Sequence, residues 1–65
     1  MRIIEKLSGR EKEVYALLCE GLLDREIGAL LNISIETVKK HNKNIYLKLE
    51  ARNRTEAVLL RKGKK

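Results

Sequence analysis

The stretch from Ser34 to Leu49, SIETVKKHNKNIYLKL, reads as one helix with two unlike sides. It opens on a serine, whose hydroxyl can accept a hydrogen bond from the free amides of a first helical turn. At about 100° per residue, Val38, Ile45 and Leu49 fall within roughly 40° of one another, whereas Lys39, Lys43 and Lys40 lie about 100 to 200° away from that seam. One side packs and the opposite side offers positive charge. A helix built like this, directly after a second short helix and a tight turn, has the design of a DNA-recognition element.

Working back from Ser34, Asn32 stands where a tight turn needs a residue that tolerates positive φ. Before it, Asp24 is the expected cap of a short helix that runs to about Leu31 with Ile27, Leu30 and Leu31 inward. The connection between the two helices is then only about three residues, as in a helix-turn-helix, which the pattern predicts over about 24–50. Gly28 lies inside the first of these helices, at a cost of up to about 1 kcal/mol relative to alanine. One turn before the bend the two helices cross closely, and Gly28 fits a contact with no space for a large side chain; the plainer reading is a tolerated defect in a short helix.

The flanks carry the same start signals. Ser8-Gly9-Arg10-Glu11 has the spacing of a capping box and predicts a helix over about 9–20, with Val14, Leu17 and Leu18 on one stripe. Gly21 can take the left-handed conformation that ends it, and Leu7 is placed to fold back onto the first turn. Asn53-Arg54-Thr55-Glu56 repeats the cap pattern and predicts a last helix over about 54–62, stopping at Gly63. Its centre, Ala57-Val58-Leu59-Leu60, is apolar all round, so part should pack on the core and part on another molecule. The basic tail from Lys62 to Lys65 is expected to fray. The outcome is an all-α, four-helix bundle with a single domain over 1–65.

A chain of 65 residues buries only about 60% of the surface it exposes unfolded, which leaves no room for an enclosed active site. Phe and Trp are absent and there are two Tyr, so the core must be aliphatic and thin, and oligomerisation would add to its stability. Charge divides unevenly. Residues 1–33 hold five basic and six acidic side chains, residues 34–65 ten and three, so the second half carries +7 of a net +6 and the first half −1. Such asymmetry points to a polyanion, nucleic acid being the commonest. The single Cys19 cannot form an internal disulfide, and no segment reads as a signal sequence or membrane span, so the expected home is the reducing cytosol.

No catalytic arrangement can be assembled, because there is no phosphate-cradling glycine loop, no metal-ligand cluster and no nucleophile beside a histidine base. No cofactor or metal is therefore expected. His41 sits about 60° from the apolar seam and reads either as a half-buried packing residue or as a phosphate contact. Cys19, Tyr15 and Tyr46 read as packing residues. Leu47 falls among the lysines on the exposed face and is open to a thymine methyl, the DNA backbone or a partner protein.

Taken together, LSGREKEVYALLCEGLLDREIGALLNISIETVKKHNKNIYLKLEARNRTEAV resembles the LuxR-type (LuxR/FixJ/GerE) helix-turn-helix domain across about four-fifths of the chain. The resemblance is carried by Leu7, Arg10-Glu11, Glu13-Val14, Glu20-Gly21, Glu26-Ile27, Ile33-Ser34, Thr37-Val38-Lys39, His41, Asn44-Ile45, Lys48-Leu49, Asn53-Arg54 and Ala57-Val58. It implies a dimer-forming transcription-factor domain, most often the output half of a response regulator or quorum sensor. It further implies that Lys39, Lys40 and Lys43 face base edges, that Thr37 and His41 lie at or near phosphates, and that helix 4, at Val58, Leu59, Arg61 and Lys62, is the dimer surface.

Elementary chemistry agrees with those roles. Lysine can donate to guanine O6 and N7 and serves any phosphate within reach. Thr37 lies in a first helical turn, where free amides and the helix dipole favour a phosphate oxygen. Arg10, Arg52, Arg54 and Lys48 could add backbone contacts that set register. The partners expected are double-stranded DNA at inverted repeats, a second copy of the chain and RNA polymerase. Rival readings are an interaction module that docks an acidic protein such as RNA polymerase, and a binder of structured RNA, against which the lack of stacking aromatics argues.

The chain departs from the family at Glu50-Ala51, where a glycine and a branched apolar residue usually follow the Lys-Leu pair. Without that glycine the helix is expected to run longer or to turn differently. Lys40 stands where family members vary; it adds general DNA attraction and leaves the preferred sequence open.

Overall fold

Polar side chains start three of the four helices. The computed structural model describes residues 3–62, in which a short 3₁₀ turn, Ile3–Lys6, precedes α1 (Gly9–Cys19), α2 (Asp24–Leu31), α3 (Ile35–Leu49) and α4 (Arg54–Lys62). This is the expected all-α helix-turn-helix fold. At α1 the Ser8 hydroxyl accepts from the Glu11 amide at 3.2 Å while the Glu11 carboxylate accepts from the Ser8 amide at 2.9 Å, closing the capping box. Ser34 Oγ accepts from the Thr37 amide at 3.1 Å, and Asn53 Oδ1 accepts from the Glu56 amide at 2.9 Å. The Glu56 carboxylate reaches one residue further than expected, to the Arg52 amide at 2.7 Å.

α2 starts differently from the sequence expectation. Leu23 occupies the cap position and Asp24 is the first helical residue. The cap amide bonds to the Glu26 carboxylate at 2.7 Å, and Asp24 instead accepts from Asn42 of α3 at 2.9 Å. A carboxylate engaged by a neighbouring helix is not free to cap its own.

The helix ends follow from backbone sterics. Gly21 takes φ 91° after α1, and Asn32 takes φ 59° in the turn between α2 and α3. Of the two expectations for the end of α3, the longer helix is not found: α3 stops at Leu49, and Glu50 itself adopts the left-handed region, φ 58° and ψ 35°. A non-glycine residue there carries a steric cost of roughly 1–2 kcal/mol.

The core gathers Leu7, Val14, Tyr15, Leu18, Ile27, Val38, Ile45, Leu49 and Ala57, with Leu17, Cys19, Leu31 and Tyr46 packed against it. Leu30, expected inward, is 64% exposed. The buried side of α2 is centred between Ile27 and Gly28, both buried, and at about 100° per residue Leu31 lies near that centre while Leu30 lies roughly 110° away. Gly28 is in the crossing contact: a Cβ there would stand 2.8 Å from the Ile33 carbonyl oxygen in the turn and 3.6 Å from Val38 Cγ2. The close approach that glycine permits is therefore chiefly to the backbone of the turn.

Candidate nucleic-acid interface

Burying Val38, Ile45 and Leu49 turns the opposite side of α3 to solvent. Lys39, Lys40 and Lys43 are all exposed there, and none is hydrogen-bonded or ion-paired to another described residue. Leu47, 68% exposed, stands among them. Lys39, Lys43, Tyr46 and Leu47 line a shallow groove together with Asp24, Asn42, Ala51 and Arg52.

Asn42, at the edge of this face, is a residue that the sequence reading passed over. It is only 7% exposed, and its Nδ2 donates to Asp24 Oδ1, fastening α3 to the start of α2. The bond lies one turn after Lys39 and beside Lys43, and it joins the buried seam of Val38, Ile45 and Leu49 in holding α3 against α2 with the lysine side outward. Its spacing, four residues after Val38 and three before Ile45, could have placed it on the seam.

The other site candidates fall into two groups. Thr37, His41 and Lys48 share one flank of α3, roughly 260 to 300° around from Val38. Thr37 is half-buried with its hydroxyl 2.9 Å from Ser34 Oγ, and His41 is half-buried. Lys48 Nζ sits 2.8 Å from Glu11 Oε1, a pair between a partly exposed ammonium and a buried carboxylate. Lys48, with the Ser8 amide behind it, holds the Glu11 carboxyl below its ordinary value, although burial alone would raise it. Arg10 pairs with Glu13 on the surface of α1 at 3.1 Å. Arg54 is apart from this flank: its guanidinium donates to the carbonyls of Leu18 and Leu22 where α1 ends.

α4 divides as its composition suggests. Ala57 is fully buried, Val58 half-buried, and Leu59 is 57% exposed beside exposed Leu60 and Arg61. The Lys62 side chain and the tail over 63–65 lie outside the described residues. Among the described residues no helix is long and apolar enough to cross a membrane, and no group of three His, Cys, Asp or Glu side chains could hold a metal ion.

Comparison with known proteins agrees with this fold. The model of the luxR family of bacterial regulatory proteins matches residues 5–61. The chain is 42% identical over 57 residues to YhjB of Escherichia coli (strain K12), by its name a candidate HTH-type transcriptional regulator, with 88% of this chain and 28% of that protein covered. It is likewise 42% identical over 57 residues to the response regulator protein VraR of Staphylococcus aureus (strain Mu3) and of Staphylococcus saprophyticus, covering 88% of this chain and 27% of each. The chain thus spans little more than a quarter of the length of these relatives. No solved structure gives a significant match. The matched span takes in all of α1 to α3 and most of α4, and the chain belongs to the luxR family of bacterial regulatory proteins as a DNA-binding helix-turn-helix domain.

Proposed function

We propose that the 65 residues act as one domain that binds double-stranded DNA as a homodimer, with α3 of each copy in the major groove of one half of an inverted repeat. The observation that supports this most directly is the trio of exposed lysines on α3, unpaired among the described residues and backed by a buried asparagine that ties α3 to α2. In this reading Lys39, Lys40 and Lys43 donate to base edges, guanine O6 and N7 being the natural acceptors. Thr37 and His41 approach phosphates on the flank of the groove. Lys48, Arg10 and Arg54 already have partners within the chain, so they add positive potential and secondary backbone contacts.

The second copy is the partner that the exposed apolar side of α4 suits, through Val58, Leu59, Arg61 and Lys62. Two-fold pairing there would set the two α3 helices about 34 Å apart, one turn of the duplex.

Selection of bound molecules from random-sequence duplex DNA near physiological salt tests the proposal. A two-fold symmetric motif is expected, and Lys39→Ala and Lys43→Ala should each flatten the preference at one position per half-site. If both variants lost affinity equally on every duplex, these lysines would be phosphate contacts. Recovery of DNA with no shared motif would sink the sequence-reading role and turn attention to an acidic protein such as RNA polymerase, for which DNA competition is the discriminating measurement.

A further inference from the structure

We infer that Glu36 is a specificity-determining residue whose carboxylate accepts a hydrogen bond from the N4 amino group of a cytosine in the major groove. The inference rests on the proposed placement of α3 in that groove and adds a recognised base to it.

Glu36 is the only acidic residue of α3, and it is exposed. At about 100° per residue it stands roughly 160° around from Val38, between Lys43 at roughly 140° and Lys40 at roughly 200°. It is therefore in the middle of the lysine face. Lys39 and Lys40 follow about 4.5 and 6 Å further along the axis.

The fold makes little use of this carboxylate. Ser34 caps the helix, taking the Thr37 amide and sharing a hydrogen bond with the Thr37 hydroxyl. Glu36 makes no hydrogen bond or ion pair with another described residue, although Lys39 and Lys40 stand three and four residues on. The helix dipole favours an acidic residue anywhere in the first turn. That accounts for its position along the axis and not for its side.

Base-edge chemistry accounts for the side. Against phosphates alone, a carboxylate among three lysines would oppose binding. In the major groove guanine and thymine offer hydrogen-bond acceptors, and adenine sets the N7 acceptor beside its amino group. Each of these repels or only half satisfies a carboxylate. Cytosine presents the N4 amino donor alone, and the guanine paired with it offers O6 and N7 to a lysine one turn further along α3. Glu36 therefore selects by attraction to one base and repulsion from the others.

The test repeats the selection with the full chain and with Glu36→Gln and Glu36→Ala. The unsubstituted chain should require cytosine at one position of each half-site, with roughly tenfold weaker binding when that base is changed. Glu36→Gln should move the preference at that position towards adenine, which glutamine can bind through N6 and N7 together. Glu36→Ala should lose the preference there and leave the other positions intact. The same base requirement in all three proteins would overturn the assignment while leaving α3 as the groove helix. If the unsubstituted chain selected no motif, the placement of α3 itself would fail and Glu36 with it.

Discussion

The phenol of Tyr15 in α1 donates a 2.7 Å hydrogen bond to the carbonyl of Ala57 in α4, joining residues 42 positions apart and tying the last helix to the first. Both residues are buried. Burial, with the neighbouring Cys19 thiol, pushes the phenol up to about 12. A raised value favours the protonated, folded form, so this contribution is fully present below about pH 10 and is lost as pH rises through about 12. Tyr15→Phe should cost about 1 kcal/mol at neutral pH and flatten the alkaline fall in stability. Denaturant melts of both proteins across that range are the check, and parallel alkaline slopes would count against it.

The Glu11 carboxylate serves two masters, the Ser8 amide and Lys48. Its lowered value gives the opposite pH sign: the stabilisation is present above the ordinary carboxylate value of 4.5 and disappears as pH falls through the lower folded value. Glu11→Gln should destabilise the fold at pH 7 by about 1 kcal/mol and make acid unfolding less steep. Thermal melts between about pH 2 and 7 would reveal it; an unchanged acid limb would mean the pair contributes nothing.

Gly28→Ala sets two effects against each other. Alanine is the better helix former by about 1 kcal/mol. The new Cβ would meet the Ile33 carbonyl at 2.8 Å, and that oxygen belongs to the backbone of the α2–α3 turn. Overpacking of this kind costs typically about 1–3 kcal/mol, so a net loss of stability and weaker DNA binding are expected. A variant melting above the unsubstituted chain would refute the contact.

Glu50→Gly should act in the other direction. The position has φ 58° and caps α3, so glycine relieves the left-handed cost while adding freedom to the unfolded chain. A net gain of about 0.5–1 kcal/mol, or a rise in Tm of roughly 2–6 °C, is expected. Calorimetry decides, and a lower Tm would show that the glutamate side chain has a compensating role.

Leu59→Glu probes the exposed part of α4. A charge in an apolar pairing surface should shift the sedimentation of the chain towards the monomer and weaken binding to an inverted repeat more than to a single half-site. Unchanged sedimentation would remove α4 from the proposed interface.

Local signals were legible because they depend on a few adjacent residues. The caps at Ser8, Ser34 and Asn53, the left-handed Asn32 and Gly21, and the packed seam through Val38, Ile45 and Leu49 all follow from short spacings. Errors arose where a distant partner decides the matter. Asp24 gives its carboxylate to Asn42, 18 residues away, and so leaves the cap to Glu26. Leu30 lost its expected burial because the packing face of α2 is set by the approach of α3, which periodicity within eight residues does not orient. Lys48 and Arg54 read as candidates for DNA-backbone contact, and that reading stands as a proposal, but their partners within the chain, 37 and 36 residues away, are invisible to any local pattern. Glu36 was hidden by the opposite habit, since a lone acid in a first helical turn has an adequate local explanation.

Arg54 and Lys48 have one further consequence when considered together. Each comes from a different helix, α4 or α3, and each is bolted to α1, one around its C-terminal end and the other at its first turn. α1 carries none of the three lysines and none of the exposed leucines of α4, yet it is the chassis on which the proposed reading head and the proposed coupling plate are both mounted. In a symmetric pair the gap between the two reading heads is then machined into each subunit before the subunits meet, and the length of the DNA site becomes a dimension of the single chain.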